Sequence, residues 1–155
     1  MQNFPHYYSV NATSSPQGDI ELTTDRVSAL RSAAPVEFDG PGDRWSPETL
    51  LVGAVGDCLV LTFRGIAKAS KLPWTSLECR IIGTLDRIDR VSQFVSFEIH
   101  AHLVVPEGSD PDIARRVLDK AEHSCLIANS LKGAIHLVPY IDVEKAESVP
   151  AAAHA

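Results

Sequence analysis

The stretch "SPETLLVGAVGDCLVLTF", residues 46–63, carries the clearest structural signal in this chain. Ser46 is a good N-cap, Pro47 suits the first helical position, and Glu48 favours the positive end of a helix dipole. These residues predict a helix from Pro47 to about Lys71. On a helical wheel its apolar side chains cover most of the circumference and leave only a narrow polar stripe. Such a pattern predicts a buried helix.

Alternating apolar residues and turn signals predict the remaining elements. The expected order is a hairpin, a third short strand, the long helix, two long strands, a second helix capped by Asp110 that ends by Gly133, and a last strand. The predicted strands cover 6–13, 19–24, 26–31, 75–87, 93–105 and 134–143. This order favours an α+β fold, with the dry face of a sheet packed on two helices. One small sheet cannot cover both sides of the long helix, so we expect a second subunit to do so.

Two glycines interrupt the long helix. Gly53 and Gly56 each cost it roughly 1 kcal/mol relative to alanine. Their presence predicts that another backbone passes close by.

Length, charge and termini restrict the class of protein. The chain has 155 residues, 45% of them hydrophobic, which predicts a single domain over 1–145, with a disordered tail over 146–155. The net charge of −6 and the lack of a basic run argue against nucleic acid as a partner. Neither a signal peptide nor an apolar run of about 20 residues is evident, so we expect a cytoplasmic protein without a membrane anchor.

The three cysteines differ in their predicted surroundings. Cys79 lies on the apolar face of a strand, where a thiol behaves as a small hydrophobe. Cys58 and Cys125 each lie on the apolar face of a predicted helix, and two packed helices would bring them together. The pattern alone leaves open whether they form a functional pair or part of the core.

Cys58 needs a nearby cation to become a reactive thiolate. It lies twelve residues after the N-cap, roughly 18 Å along the axis, where the helix dipole has no effect. Glu48 is about 15 Å away along the same helix. If Glu48 acts at Cys58, we therefore expect it to come from another chain.

Two segments resemble those of a known family. "SPETLLVGAVGDCLVLTF" resembles the signature of the OsmC/Ohr family of organic hydroperoxide reductases, and "AEHSCLIANSLKG" resembles its second-cysteine segment. The ten-residue step from Glu48 to Cys58 and the 67-residue step to Cys125 also match. The resemblance covers most of the chain from about 36 to 143.

The resemblance implies an OsmC-like fold: antiparallel sheets around two helices, in an intertwined homodimer with both active sites at the subunit interface. It further implies that Cys58 attacks an organic hydroperoxide and becomes a sulfenic acid, which Cys125 resolves as a disulfide. A dithiol such as a lipoyl group, or another thiol reductant, then restores the enzyme. No bound cofactor or metal is implied.

In the family's reductases an arginine on an N-terminal strand pairs with the thiolate and with the carboxylate that matches Glu48. The candidates for this cation here are Arg44 and Arg26. His100 and His102 share a strand face as a metal pair would, but they are too few ligands for a structural site.

Three functions compete. The first is a thiol peroxidase that acts on organic hydroperoxides. The second is another cysteine-dependent enzyme on the same scaffold, such as a thioester hydrolase, which would need a histidine base near Cys58. The third is a dimeric module that binds an apolar ligand and uses both cysteines as packing.

Overall fold

The computed structural model describes residues 3–145, so the tail predicted over 146–155 lies outside the described residues. The fold is α+β, as predicted. The chain forms two compact units, an N-terminal unit that ends at Leu51 and a C-terminal unit that begins at Val52. The boundary falls within the long helix, and the single domain over 1–145 stays a prediction.

The N-terminal unit contains a small antiparallel sheet. Its strands, in spatial order, are β1 (Asn11–Thr13), β2 (Ile20–Thr23) and β3 (Leu30–Ser32). The predicted hairpin is confirmed with shorter strands. The third strand begins later than predicted because Arg26, with a φ of 62°, lies in a turn. A short 3₁₀ helix, Val36–Phe38, follows.

The long helix, α1, spans Pro47–Ala69. Ser46 caps it, because the Ser46 Oγ accepts a hydrogen bond from the Thr49 N–H at 3.2 Å. At the other end Lys71 has a φ of 53°. The Leu72 N–H there donates to the Ala67 carbonyl at 2.9 Å. This Schellman-type turn satisfies the end of the helix and stops it two residues before the predicted Lys71.

Within one chain α1 is fully buried along one stripe only, and the covering of its other side by a second subunit stays a prediction. The buried residues are Val55, Gly56, Leu59, Phe63 and Ala67. Leu61 on another side is 54% exposed. By length and composition α1 would also be able to cross a membrane, although the core helix of a soluble protein meets the same test.

The close approach predicted at the glycines of α1 occurs at Gly56. A Cβ there would lie 2.5 Å from the Ile81 Cδ1. The approaching group is therefore a side chain and not the backbone that we expected.

The C-terminal unit is built on a second sheet, with strands in the spatial order β4 (Ser76–Ile88), β5 (Val91–Val105) and β6 (Ala134–Val143). β4 and β5 form the predicted hairpin, with Asp89 and Arg90 at positive φ in its turn. β6 pairs in parallel with β5. The buried residues of β5 alternate as the sequence predicted: Phe97, Ile99, Ala101, Leu103 and Val105.

The second helix, α2, spans Pro111–His123 and connects β5 to β6. The Asp110 side chain caps it by accepting hydrogen bonds from the N–H groups of Asp112 and Ile113. The helix ends at His123, earlier than Gly133. Cys125 consequently lies in the turn after α2 and not on the helix, which corrects the prediction.

Candidate functional site

Cys58 lies in the middle of α1 and is half-buried. Its Sγ is 4.0 Å from the Thr62 Oγ1, one helical turn further on. Apolar Val55 and Leu61 flank it on the same helix. Because α1 is regular at this point, the position of the sulfur is set by the helix backbone.

Cys125 lies in the turn that follows α2 and is only 1% exposed. Its N–H donates to the Glu122 carbonyl at 3.1 Å, and its carbonyl accepts from the Asn129 N–H at 3.0 Å. These two bonds hold the turn against the end of α2. The thiol is thereby kept in the interior although it is not part of a helix.

The structure brings Cys58 and Cys125 together. The two thiols are close enough for Cys58 to influence the pKa of Cys125. The pKa of Cys125 is raised to about 11, chiefly by burial and to a smaller extent by Cys58, whereas the backbone N–H groups of Ala128 and Ile127 act in the opposite direction. Cys125 is therefore a protonated thiol at neutral pH.

This arrangement can carry out two-thiol redox chemistry. Cys58 is the more accessible of the two cysteines, and Cys125 lies close to it. A sulfenic acid formed on the accessible sulfur would condense with the neighbouring thiol to give a disulfide.

Glu48 belongs to the first turn of α1, in the N-terminal unit. Its Oε2 atom is buried and has no hydrogen-bond partner among residues 3–145. A buried carboxylate oxygen without a donor is costly. A donor from outside the described chain would remove this cost.

The two predicted cations also lie in the N-terminal unit. The Arg44 guanidinium pairs with Asp19 at 3.0 Å and with Asp43 at 2.9 Å. Hydrogen bonding to Asp19 raises the pKa of Arg44. Arg26 is exposed in the turn between β2 and β3.

A third arginine, Arg31, was not among the candidates predicted from the sequence. Arg31 lies on β3. Together with Arg44 it lines a surface cleft in the N-terminal unit. It forms no ion pair within the described part of the chain. The predicted strand over 26–31 contained this residue, but the sequence does not show which way its side chain points.

The remaining candidates do not join the cysteine pair. Burial raises the pKa of Cys79 on β4 to about 11, with a smaller contribution from Glu78. His102 pairs with Asp142 at 2.6 Å, and His100 pairs with Glu98. Across residues 3–145, no cluster of three or more His, Cys, Asp or Glu side chains is arranged to hold a metal ion.

The family model described as "OsmC-like protein" matches residues 40–138, which include Glu48, Cys58 and Cys125. This chain belongs to the OsmC-like family.

Similar proteins share the OsmC-like fold at low sequence identity. An OsmC-like protein of unknown function from Vibrio cholerae is 17% identical, with a TM-score of 0.81 over 88% of this chain and 100% of that one. An organic hydroperoxide resistance protein OsmC from Legionella pneumophila is 22% identical, with a TM-score of 0.69 over 90% of this chain and 100% of that one. The uncharacterized protein YmaD of Bacillus subtilis is 26% identical over 66% of this chain and 71% of its own length.

Proposed function

We propose that this OsmC-like protein is a two-cysteine peroxidase that reduces organic hydroperoxides. The proximity of Cys58 to Cys125 carries the proposal. Family membership supports it, because some proteins of this fold are named organic hydroperoxide resistance proteins. The apolar side chains around Cys58 favour an organic hydroperoxide over hydrogen peroxide.

In the first step the Cys58 thiolate attacks the terminal oxygen of the hydroperoxide. The O–O bond breaks, an S–O bond forms, and the leaving alkoxide takes a proton to become the alcohol. Cys58 is thereby oxidised by two electrons to a sulfenic acid. Its greater exposure assigns it this role, since Cys125 is buried and protonated.

In the second step the Cys125 sulfur attacks the Cys58 sulfenic sulfur. An S–S bond forms, the S–O bond breaks, and water leaves with the thiol proton. The backbone N–H groups of Ala128 and Ile127 stabilise negative charge on the Cys125 sulfur while it reacts.

In the third step an external dithiol, such as a lipoyl group, reduces the disulfide by thiol exchange and is itself oxidised to a disulfide. This step requires a compartment in which dithiols are kept reduced. We accordingly place the protein in the cytoplasm. The cycle uses no bound cofactor or metal.

The working form in this proposal is a homodimer. The apolar side of α1 that includes Leu61 is not covered by residues 3–145, and the buried Glu48 Oε2 has no donor among them. A second copy of the chain would cover this side and supply a donor. The cation beside Cys58 in that assembly is one of the N-terminal arginines, Arg26 or Arg44.

The test is to treat fully reduced protein with cumene hydroperoxide and to count free thiols by mass spectrometry over time. Wild-type protein should lose two thiols rapidly and yield a peptide crosslinked through Cys58 and Cys125. Cys79→Ser is the matched control and should behave as wild type. Cys58→Ser should lose none.

Hydrogen peroxide at the same concentration should oxidise the wild type more slowly than cumene hydroperoxide. Slow oxidation by both, or thiol loss that persists in Cys58→Ser, would contradict the proposal. In that case a ligand-binding role with both cysteines as packing would be favoured.

A further inference from the structure

The N-terminal unit contains an open cleft of about 370 Å³ that the proposed peroxidase cycle does not explain. It is lined by Arg31, Asp43, Arg44, Trp45 and Thr49. The cleft thus combines two guanidinium groups, one carboxylate, one hydroxyl and one indole ring.

The two arginines of this cleft differ in their ion pairs. Arg44 pairs with two carboxylates, Asp19 and Asp43, so its guanidinium is already engaged. Arg31 has no ion-pair partner within residues 3–145. Glu21 lies opposite Arg31 in the β2–β3 register, yet the two side chains form no ion pair, and Arg31 faces the cleft instead.

The Thr49 hydroxyl is already engaged. It donates to the Ser46 carbonyl at 3.1 Å and accepts from the Ser46 N–H at 2.8 Å. The polar group left for a ligand is therefore the Arg31 guanidinium.

The apolar wall of the cleft is Trp45, whose side chain is 53% exposed. Its backbone is fixed, because the Trp45 carbonyl accepts a hydrogen bond from the Ala33 N–H at 2.9 Å and Trp45 forms a bridge with Ser32. The indole is consequently presented on a rigid frame. Tryptophan and arginine are both enriched among the residues that contribute most to binding at protein interfaces.

We infer that this cleft binds an organic carboxylate with a flat or apolar body. The Arg31 guanidinium holds the carboxylate in a bidentate pair, and the Trp45 indole packs against the body. Asp43 at the rim disfavours doubly charged anions such as phosphate. The inference goes beyond the proposed peroxidase activity and does not depend on it.

The experiment is an NMR titration of the ¹⁵N-labelled protein with benzoate, octanoate and inorganic phosphate as separate probes. The two indole N–H signals serve as internal reporters, since Trp45 lines the cleft and Trp74 packs edge-on against Phe63 in the core. We expect benzoate and octanoate to shift the Trp45 signal with millimolar or tighter affinity. The Trp74 signal should stay in place, and phosphate should have little effect.

Arg31→Gln should weaken carboxylate binding at least about tenfold, because it removes a charge-assisted bidentate pair. Arg26→Gln removes an arginine outside the cleft and should leave the affinity unchanged. Arg31→Lys keeps the charge without the planar fork and should bind with intermediate affinity. Backbone amide spectra establish that each variant remains folded.

The inference is overturned if no carboxylate shifts the Trp45 signal, if phosphate binds as tightly as octanoate, or if Arg31→Gln binds like wild type. These readouts do not involve the cysteines. Failure here is thus distinct from failure of the peroxidase proposal.

Discussion

At the level of single residues, Cys58 and Cys125 are identical side chains in unequal surroundings. Cys58 is half-buried on a helix, whereas Cys125 is buried in a turn with its pKa raised to about 11. Under the proposal, this difference in exposure and pKa determines which of the two thiols reacts first. The accessible sulfur meets the oxidant, and the protected sulfur reacts only afterwards.

Cys125→Ser should therefore leave Cys58 without a resolving partner. On exposure to excess cumene hydroperoxide, the variant should accumulate the Cys58 sulfinic acid, which carries two added oxygens. Wild-type protein and Cys79→Ser should stop at the disulfide. Intact-mass analysis separates these products, and equal over-oxidation of all three proteins would count against a resolving role for Cys125.

Glu48→Gln tests the role of the buried Glu48 Oε2 atom, which has no hydrogen-bond partner among residues 3–145. The rate of thiol loss should fall at least about tenfold, because a charge-assisted hydrogen bond from a donor near Cys58 is lost. The matched control is Glu37→Gln at an exposed position, and it should leave the rate of thiol loss unchanged. Stopped-flow oxidation measures the rate, and urea unfolding checks that Glu48→Gln has not simply destabilised the protein.

Cys79 provides a pH prediction. Its pKa is raised from 9.0 to about 11, chiefly by burial, so the folded state holds the proton more tightly than the unfolded state. The resulting stabilisation is complete below pH 9 and is lost as the pH rises towards 11. The free energy of unfolding should thus fall over this interval, with a smaller fall in Cys79→Ser. Identical pH profiles for the two proteins would show that Cys79 is not responsible.

At the level of elements, the sequence predicted the identity and order of the helices and main strands. Period-two alternation located β4 and β5 almost to their ends, and Ser46-Pro47 located the start of α1. The end of α2 was misplaced because apolar spacing continues through Cys125 and Ala128, although the backbone has already left the helix at Ser124. Periodicity reports burial, and a turn can be as buried as a helix.

Features that depend on tertiary geometry could not be predicted from the sequence. The parallel pairing of β6 with β5, the proximity of Cys58 to Cys125, and the position of Arg31 in the cleft depend on how elements meet. The two cysteines could be singled out because their apolar surroundings are visible in the sequence. Arg31 could not be singled out in the same way, because an arginine on a short strand is usually a solvated surface residue.

The Asp110 cap makes an element-scale prediction. Asp110→Ala should lower the free energy of unfolding by about 1 kcal/mol, because two N–H groups at the start of α2 lose their acceptor. Asp110→Asn keeps an acceptor and should lose much less. Urea denaturation compares the two, and equal losses would mean that the cap bond contributes little.

At the level of the whole molecule, α1 presents an apolar side, including Leu61, that residues 3–145 do not cover. We expect the 16.8 kDa chain to sediment as a dimer. Leu61→Glu introduces a charge on that side and should shift the equilibrium towards monomer. Ile113→Glu, at a partly exposed position on α2, is the matched control and should stay dimeric. Sedimentation velocity at several concentrations decides between the outcomes.

The turn that holds Cys125 has a mechanical consequence. Cys125 follows the last residue of α2, so a movement of its sulfur does not require a residue inside either helix to move. Its backbone is held by one hydrogen bond to Glu122 and one to Asn129. The turn after α2 would therefore be the segment that adjusts each time the proposed disulfide forms and is reduced.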